Sequence, residues 1–308
     1  MTKKGKVTRK GKKRFSSKQL MVISIIIASI IALGSGLSFL LSQKPGGFSL
    51  RAAVIDQLGE EFPNSSFVEN VTNLLTTRGF NVTYYDKTLD VNFFRGLANN
   101  RYGIIILRVH SALREDNKTV DLFTSEEFAD YKYRPERENG LLVRGEFLYS
   151  PGKLYFAITS KFIESLEGSF PKSIVIAMGC WSLKLGCEQM AMAYIDKGAK
   201  AYVGWTDIVL PKDTDSETFR LLQMLLNENR TLVDAVSRTN GYTYHGDHQT
   251  IYSHMRFYPS SEENLTISKL ITEAKVSSSV TAFDSAKNFS NILIANTIRK
   301  PKNFTWKN

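Results

Sequence analysis

Ser173 to Asp207 reads SIVIAMGCWSLKLGCEQMAMAYIDKGAKAYVGWTD and limits the fold more than any other stretch of the chain. Ile174–Met178 is a short apolar run between Pro171 and Gly179, the pattern of a strand buried on both faces of a parallel sheet. Glu188–Lys197 then carries Met190, Ala191, Ala193, Tyr194 and Ile195 at helical spacing and stops at Gly198. Ala201–Trp205 is a second apolar run. Strand, helix, strand implies a right-handed crossover between two parallel strands. Reactive groups in such sheets collect where the strands' carboxyl ends emerge, and Cys180 stands at one of those ends.

The preceding chain has the same alternation. Arg51–Leu58 reads as a first strand, Ser65–Arg78 as a helix ending at Gly79, and Phe80–Tyr85 as a strand. Asp90–Ala98 reads as a short helix, and Tyr102–Val109 as another apolar strand with His110 directly after it. Ser111–Gly152 breaks the pattern: it is charged and weakly periodic. It reads as an insertion holding a hairpin, Leu141–Arg144 against Glu146–Tyr149, turned at Gly145. Leu154–Thr159 and Lys161–Leu166 return to strand and helix. After Asp207, Asp213 or Ser216 is placed to cap a helix running to Asn227, and Thr231 to cap a second one to Arg238. Gly241–His254 is polar and aromatic with turn signals, and Met255–Tyr258 reads as an edge strand before Pro259. The expectation is one α/β domain over residues 51–274. It is a three-layer sandwich of about six mainly parallel strands, followed by a tail over 275–308.

Ahead of this body lies Leu20–Leu41, 22 residues without a charge. That length crosses a bilayer. Residues 1–42 hold nine Lys or Arg and no acid, so the basic tail over 1–19 is expected to stay cytoplasmic, with the body outside a plasma membrane. A cleaved signal peptide is the alternative, with small residues at Gly34, Ser35 and Gly36; the long run without an A-x-A site favours a single-pass anchor. Residues 42–50 then form a linker, with KPGG at Lys44–Gly47. The basic tail also explains the net charge of +10, because the remainder has 31 basic and 30 acidic residues. A nearly neutral body gives no basic face for nucleic acid.

N-x-S/T occurs at Asn64, Asn70, Asn81, Asn117, Asn229, Asn264, Asn288 and Asn303, all after the apolar run. Chance would give about two or three, so an exported, glycosylated body is expected.

Two strands thus end in reactive residues, RVH at His110 and MGC at Cys180. At a shared edge, a thiol and an imidazole make a nucleophile and its general base. The Cys180 N–H, beside Gly179, is a donor for an oxyanion. Trp181, Trp205 and Asp207 flank this end of the sheet as pocket-lining candidates, with core indoles and a plain strand-end carboxylate as the alternative. Cys180 and Cys187 are the two cysteines of the chain, seven positions apart. In an oxidising compartment they can pair, which would remove the nucleophile. His245, Asp247, His248 and His254 form HGDHxxxxxH, whose spacing matches no zinc signature, so no metal or other cofactor is expected.

The strand-then-His of Tyr102–Ser111 and the strand-then-Cys of Ser173–Cys180 resemble those of caspase-like cysteine peptidases, clan CD. Glu188–Trp205 resembles the CHAT and gingipain branches, and Glu217–Arg238 resembles the helix pair that follows in CHAT domains. The resemblance covers roughly Tyr102–Tyr258. It implies a caspase-like fold, His110 as base, Cys180 as nucleophile and a protein or peptide substrate cleaved through a thioester without metal. The family's usual glycine after the histidine, whose N–H helps form the oxyanion hole, is Ser111 here. A non-catalytic surface or cell-envelope module of the same fold, bridged at Cys180–Cys187, is the rival. A flavodoxin-like receptor domain lacks a phosphate-binding glycine loop.

Overall fold

The computed structural model describes residues 47–146, 152–245 and 250–276. The basic tail, the apolar run Leu20–Leu41, most of the linker and the tail beyond Val276 lie outside them. Among the described residues no helix is long and apolar enough to cross a membrane.

Among the described residues twelve strands form three sheets. They are β1 Arg51–Asp56, β2 Asn81–Tyr85, β3 Ile104–Arg108, β4 Ser111–Leu113, β5 Val120–Glu127, β6 Leu142–Glu146, β7 Leu154–Ile158, β8 Ile174–Ala177, β9 Ala201–Trp205, β10 Tyr242–His245, β11 Thr250–Ser253 and β12 Met255–Tyr258. The main sheet has the order β12-β9-β8-β3-β1-β2. Its five pairings are parallel except β12 against β9. The helices are α1 Ser65–Thr77, α2 Val91–Arg95, α3 Arg134–Glu138, α4 Ser160–Ser165, α5 Gln189–Asp196, α6 Pro211–Leu226 and α7 Leu232–Ser237.

The central strands are apolar along most of their length because both faces are covered. Ala52, Val54, Ile104, Ile106, Ile174, Ile176, Val203 and Trp205 pack toward α1, α6 and α7. Their neighbours Ala53, Ile55, Ile105, Leu107, Val175, Ala177 and Tyr202 pack toward α2, α4 and α5. This is the expected three-layer arrangement, a mixed α/β fold with a parallel-rich sheet. Thr231 caps α7 as expected. Helix α6, in contrast, starts at Pro211 with no side-chain cap, ahead of both Asp213 and Ser216. Proline needs no hydrogen-bond partner at a first helical position.

The insertion is more ordered than its sequence suggests. Strands β4, β5, β7 and β6 form a four-stranded antiparallel sheet in that order. The expected hairpin does not turn at Gly145. Gly145 sits inside β6, which pairs with β7. A Cβ there would lie 2.5 Å from the Phe123 ring, so the glycine admits an aromatic ring rather than a turn. The expected second strand extends beyond Glu146 into residues that are not described. Gly241–His254 contains the two-stranded β10–β11 ribbon.

A buried ion cluster joins the elements at the carboxyl edge of the main sheet. Arg108 ends β3 with its side chain 1% exposed. Its Nη1 donates to Asp56 at the end of β1 (2.7 Å), and its Nε and Nη2 fork onto Asp215 of α6 (2.8 and 2.9 Å). Nη2 also donates to the Phe62 carbonyl at 2.7 Å. Tyr84 donates to Asp56 and Asn64 to Asp215, so the surplus carboxylate charge is hydrogen-bonded. Removing one partner of a buried ion pair costs about 3–5 kcal/mol, because the other charge stays behind unpaired. Arg108→Ala, which strands two carboxylates, should lower unfolding free energy by at least that amount. Urea titration followed by circular dichroism checks it; a loss under about 1 kcal/mol would mean that the cluster behaves like a surface pair.

Candidate functional site

Leu107 of β3 pairs with Ala177 of β8. His110 and Cys180 each lie three residues beyond that pair, so the two leave the sheet at one edge. The strand ends stay in contact past the ladder. An ideal Cβ on Gly179 would lie 2.3 Å from Ser111 Oγ and 2.6 Å from the Val109 carbonyl oxygen. Only glycine permits that approach. Ser111 Oγ donates to the Cys180 carbonyl at 2.5 Å, tying the segment after the histidine to the cysteine itself.

Ser111 is the residue at which the caspase-like pattern has glycine. His110 ahead of it and Arg114 just past β4 bond the facing segment through the Phe123 N–H and the Thr119 carbonyl. In an antiparallel ladder, residues facing the partner alternate with residues facing away. Ser111 therefore turns its own N–H away from β5, and that nitrogen lies 2.8 Å from the ideal Cβ position of Gly179. The side chain in place of glycine leaves the backbone donor directed at the cysteine segment.

The imidazole is held on several sides. The His110 N–H donates to Gln57 Oε1 at 2.8 Å, and Nε2 lies 2.9 Å from Glu61 Oε2. Phe62 and Phe123 meet the ring edge-on at 6.3 and 6.5 Å between centroids. A carboxylate can only accept, so Nε2 carries the proton and Nδ1 keeps the lone pair. Burial lowers the His110 pKa below its ordinary value; the Glu61 bond and charge oppose this, and Arg108 adds to it. The ring is accordingly neutral at pH 7. Glu61 stands ready to stabilise the imidazolium once a proton arrives.

Cys180 and Cys187 are both free, and the alternative bridge is not formed. Cys187 Sγ donates to the Asn117 carbonyl at 3.4 Å. Cys180 Sγ donates to the Val209 carbonyl and accepts from the Val209 N–H, both at 3.5 Å. Burial pushes the Cys180 thiol up; the Val209 N–H pulls the other way, and the Asp207 charge adds to the rise. Nε2 and Sγ thus bond Glu61 and Val209 in this state, with a protonated thiol and a neutral imidazole.

The flanking candidates separate. Trp181 is half-buried, sits at φ 54° and donates its N–H to the Asp207 carbonyl. The Asp207 carboxylate lies 3.7 Å from Lys184 Nζ. Trp205, by contrast, is a core indole at 0% exposure, with Nε1 donating to Thr214 Oγ1. His245 and His254 bond Thr250 and Thr206, and Asp247 and His248 lie outside the described residues. Among the described residues no His, Cys, Asp or Glu group has metal-site geometry. Of the sequons, Asn70, Asn81, Asn117, Asn229 and Asn264 are exposed. Asn64 differs: its Oδ1 caps α1 at Phe67 N–H and its Nδ2 donates to Asp215, so that amide is committed to the fold. Asn288 and Asn303 lie outside the described residues.

Gln57, Glu61 and Val209 carry no motif in the sequence. Their one signal is position: the loop after β1 and the loop after β9 both leave the same sheet edge as His110 and Cys180.

No family model matches the chain, and no curated protein matches it. Among solved structures it is similar to the Arg-specific cysteine proteinase gingipain R, at 12% identity and a TM-score of 0.39, over 61% of this chain and 40% of that one. The chain therefore spans less than half of that proteinase. A likeness this loose transfers neither residues nor activity.

The pKa directions predict how the thiol reacts. A raised pKa means that the thiolate fraction at pH 7 is smaller than for a free cysteine and grows as pH rises. Alkylation of Cys180 by iodoacetamide should be slow at pH 7 and still accelerating past pH ~9, above the ordinary thiol pKa of about 8.5. Site-resolved mass spectrometry of the rate against pH checks this. A plateau already reached at pH 7 would show a preformed ion pair instead.

Proposed function

We propose that the chain is a cysteine peptidase of caspase-like architecture, with Cys180 as nucleophile, His110 as general base and Glu61 orienting the imidazole. The observation that carries this is the Leu107–Ala177 pairing with its locked strand ends. It accounts for one imidazole and one free thiol leaving the sheet side by side. In this scheme Nδ1 of His110 takes the thiol proton, sulfur attacks the scissile carbonyl, and the imidazolium, paired with Glu61, protonates the leaving amine. Water then attacks the thioester carbon while His110 takes its proton, and the sulfur leaves as thiolate and recovers that proton from the imidazolium. The N–H groups of Ser111 and Cys180 are the donors for the oxyanion. A cleft of about 550 Å³ over the four-stranded sheet adjoins the site. Its floor includes Phe123, which also touches His110, and Ala157, with Arg114 and Asp121 at the rim. It has room for polypeptide side chains.

One observation favours a non-catalytic module of the same fold: thiol and imidazole each bond other groups, and the thiol is protonated. Two measurements decide between them. An electrophilic peptide probe should label wild type at Cys180 and leave Cys180→Ala unlabelled. Peptide-library cleavage should fall by ~10²-fold or more in His110→Ala and less steeply in Glu61→Gln, with a shifted acid limb. Cys180 labelling without any cleavage would favour the module.

We further propose that Leu20–Leu41 anchors the protein in a plasma membrane with the body outside and glycosylated. Made in a secretory host, the chain should lose mass on glycosidase treatment. Peptide mapping should find sugar at the exposed sequons and none at Asn64. An unshifted full chain, or glycan on Asn64, would count against the topology or against the Asn64 cap, respectively.

A further inference from the structure

The loop from Thr206 to Leu210, between β9 and α6, lies against the sulfur. Val209 gives the sulfur two hydrogen bonds, one as acceptor and one as donor, at 3.5 Å each. One residue therefore uses up the thiol's proton and meets its lone pair at once. Val209 is buried and packs into the apolar core on the α6 side, where the Cys180 side chain is its neighbour. The loop runs on through Leu210, 41% exposed, into Pro211 at the start of α6.

Few bonds hold the rest of the loop, and most come from outside it. Thr206 N–H donates to the His254 carbonyl, and His254 N–H donates to Thr206 Oγ1 at 3.1 Å. Asp207 N–H donates to Ser253 Oγ at 3.1 Å, and the Asp207 carbonyl accepts the Trp181 N–H. The loop is thus tied to the corner between β11 and β12 on one side and to the residue after the cysteine on the other. Apart from the Val209 side chain in the core and the Lys184–Asp207 contact at 3.7 Å, the loop is held by hydrogen bonds rather than apolar packing. Loops held mainly by partly exposed hydrogen bonds open at a fraction of the global unfolding cost.

We propose that residues 206–210 form a strap that closes the Cys180 sulfur, and that the thiol becomes reactive when the strap leaves it. This rests on Cys180 being the working sulfur, and it adds the control on that sulfur. Attack on a carbonyl needs a free approach path and a free lone pair at sulfur. With Val209 in place the thiol proton is engaged and one of the two sulfur lone pairs meets the Val209 N–H, so the closed strap is the latent form. Opening breaks two sulfur hydrogen bonds and leaves the Val209 N–H and carbonyl to water.

The test loosens the strap at groups that do not touch the sulfur. Ser253→Ala and Thr206→Val in one chain remove the side-chain ties of the β11–β12 corner and change no charge near the thiol. Iodoacetamide labelling of Cys180 in the purified full chain is followed by mass spectrometry, with circular dichroism as the fold control. The loosened variant should label about tenfold faster or more, since each lost hydrogen bond weights the open state severalfold. The pH at half-maximal rate should move down toward that of a free cysteine. An unchanged rate in a folded variant overturns the strap. So does a wild-type rate equal to that of the same cysteine in the urea-unfolded chain. Fast labelling without peptide cleavage would leave the strap standing and remove the peptidase assignment, so the two failures are separable.

Discussion

The guanidinium of Arg108 is the joint on which the carboxyl edge of the sheet depends. It sits where β3 ends, between a carboxylate from β1 and one from α6, and its remaining donor takes the Phe62 carbonyl. Lysine could not replace it. An ammonium offers three donors around a point, while this site needs a planar fork on Asp215 with further donors on Asp56 and on the backbone. Burial pushes Arg108 toward losing its proton, and the two carboxylates outweigh that, so it stays charged. Such a cluster adds little net stability over an apolar filling of the same shape. What it does supply is position. Two strands, one helix and the loop after β1 cannot shift relative to one another without exposing a charge to a dry interior.

That positional control reaches the imidazole through the loop. Arg108 grips the Phe62 carbonyl, the Phe62 ring packs on His110, and Glu61, next along the chain, meets Nε2. Asn64 closes the loop by capping α1 while it donates to Asp215. The ion cluster and the histidine are thus parts of one arrangement, with Arg108 and His110 two residues apart on the same strand end. It also explains why His110 is depressed rather than raised beside a carboxylate. Its ring is buried, and the nearby guanidinium repels a second positive charge.

The sheet was legible in the sequence because its strands are buried on both faces. A continuous apolar run such as that over 104–107 or Ile174–Ala177 is a strong signal, and glycines mark the helix ends. That His110 and Cys180 leave the sheet at the same edge followed from that alone, since parallel strands bring their carboxyl ends together. The partners were not legible. Asp215 lies 107 positions from Arg108, and nothing in a sequence couples two charges at that distance. Glu61 sits in an acidic turn that looks like solvated surface. The insertion failed for a different reason: β5 is half-exposed, with burial lost after Thr124, so its periodicity is diluted by charge. Gly145 imitated a turn because glycine marks close approaches as well as turns, and only the ring of Phe123 tells them apart.

Ser111 shows how a side chain is absorbed at a crowded strand end. A Cβ at that position would be a fault if it displaced the N–H from the cysteine segment. Here the ladder with β5 fixes the backbone first, and the side chain is used afterwards: its hydroxyl binds the Cys180 carbonyl, which holds the cysteine's own peptide unit in place. The glycine that the edge cannot lose is Gly179 on the facing strand end, where any Cβ would strike both the Ser111 hydroxyl and the Val109 carbonyl. Close approach between the strand ends is the geometric requirement, and one side may carry a side chain if the other carries none. The same economy governs the sulfur. It is held by backbone groups of Val209 rather than by a side chain, so what decides its reactivity is the path of the chain between β9 and α6.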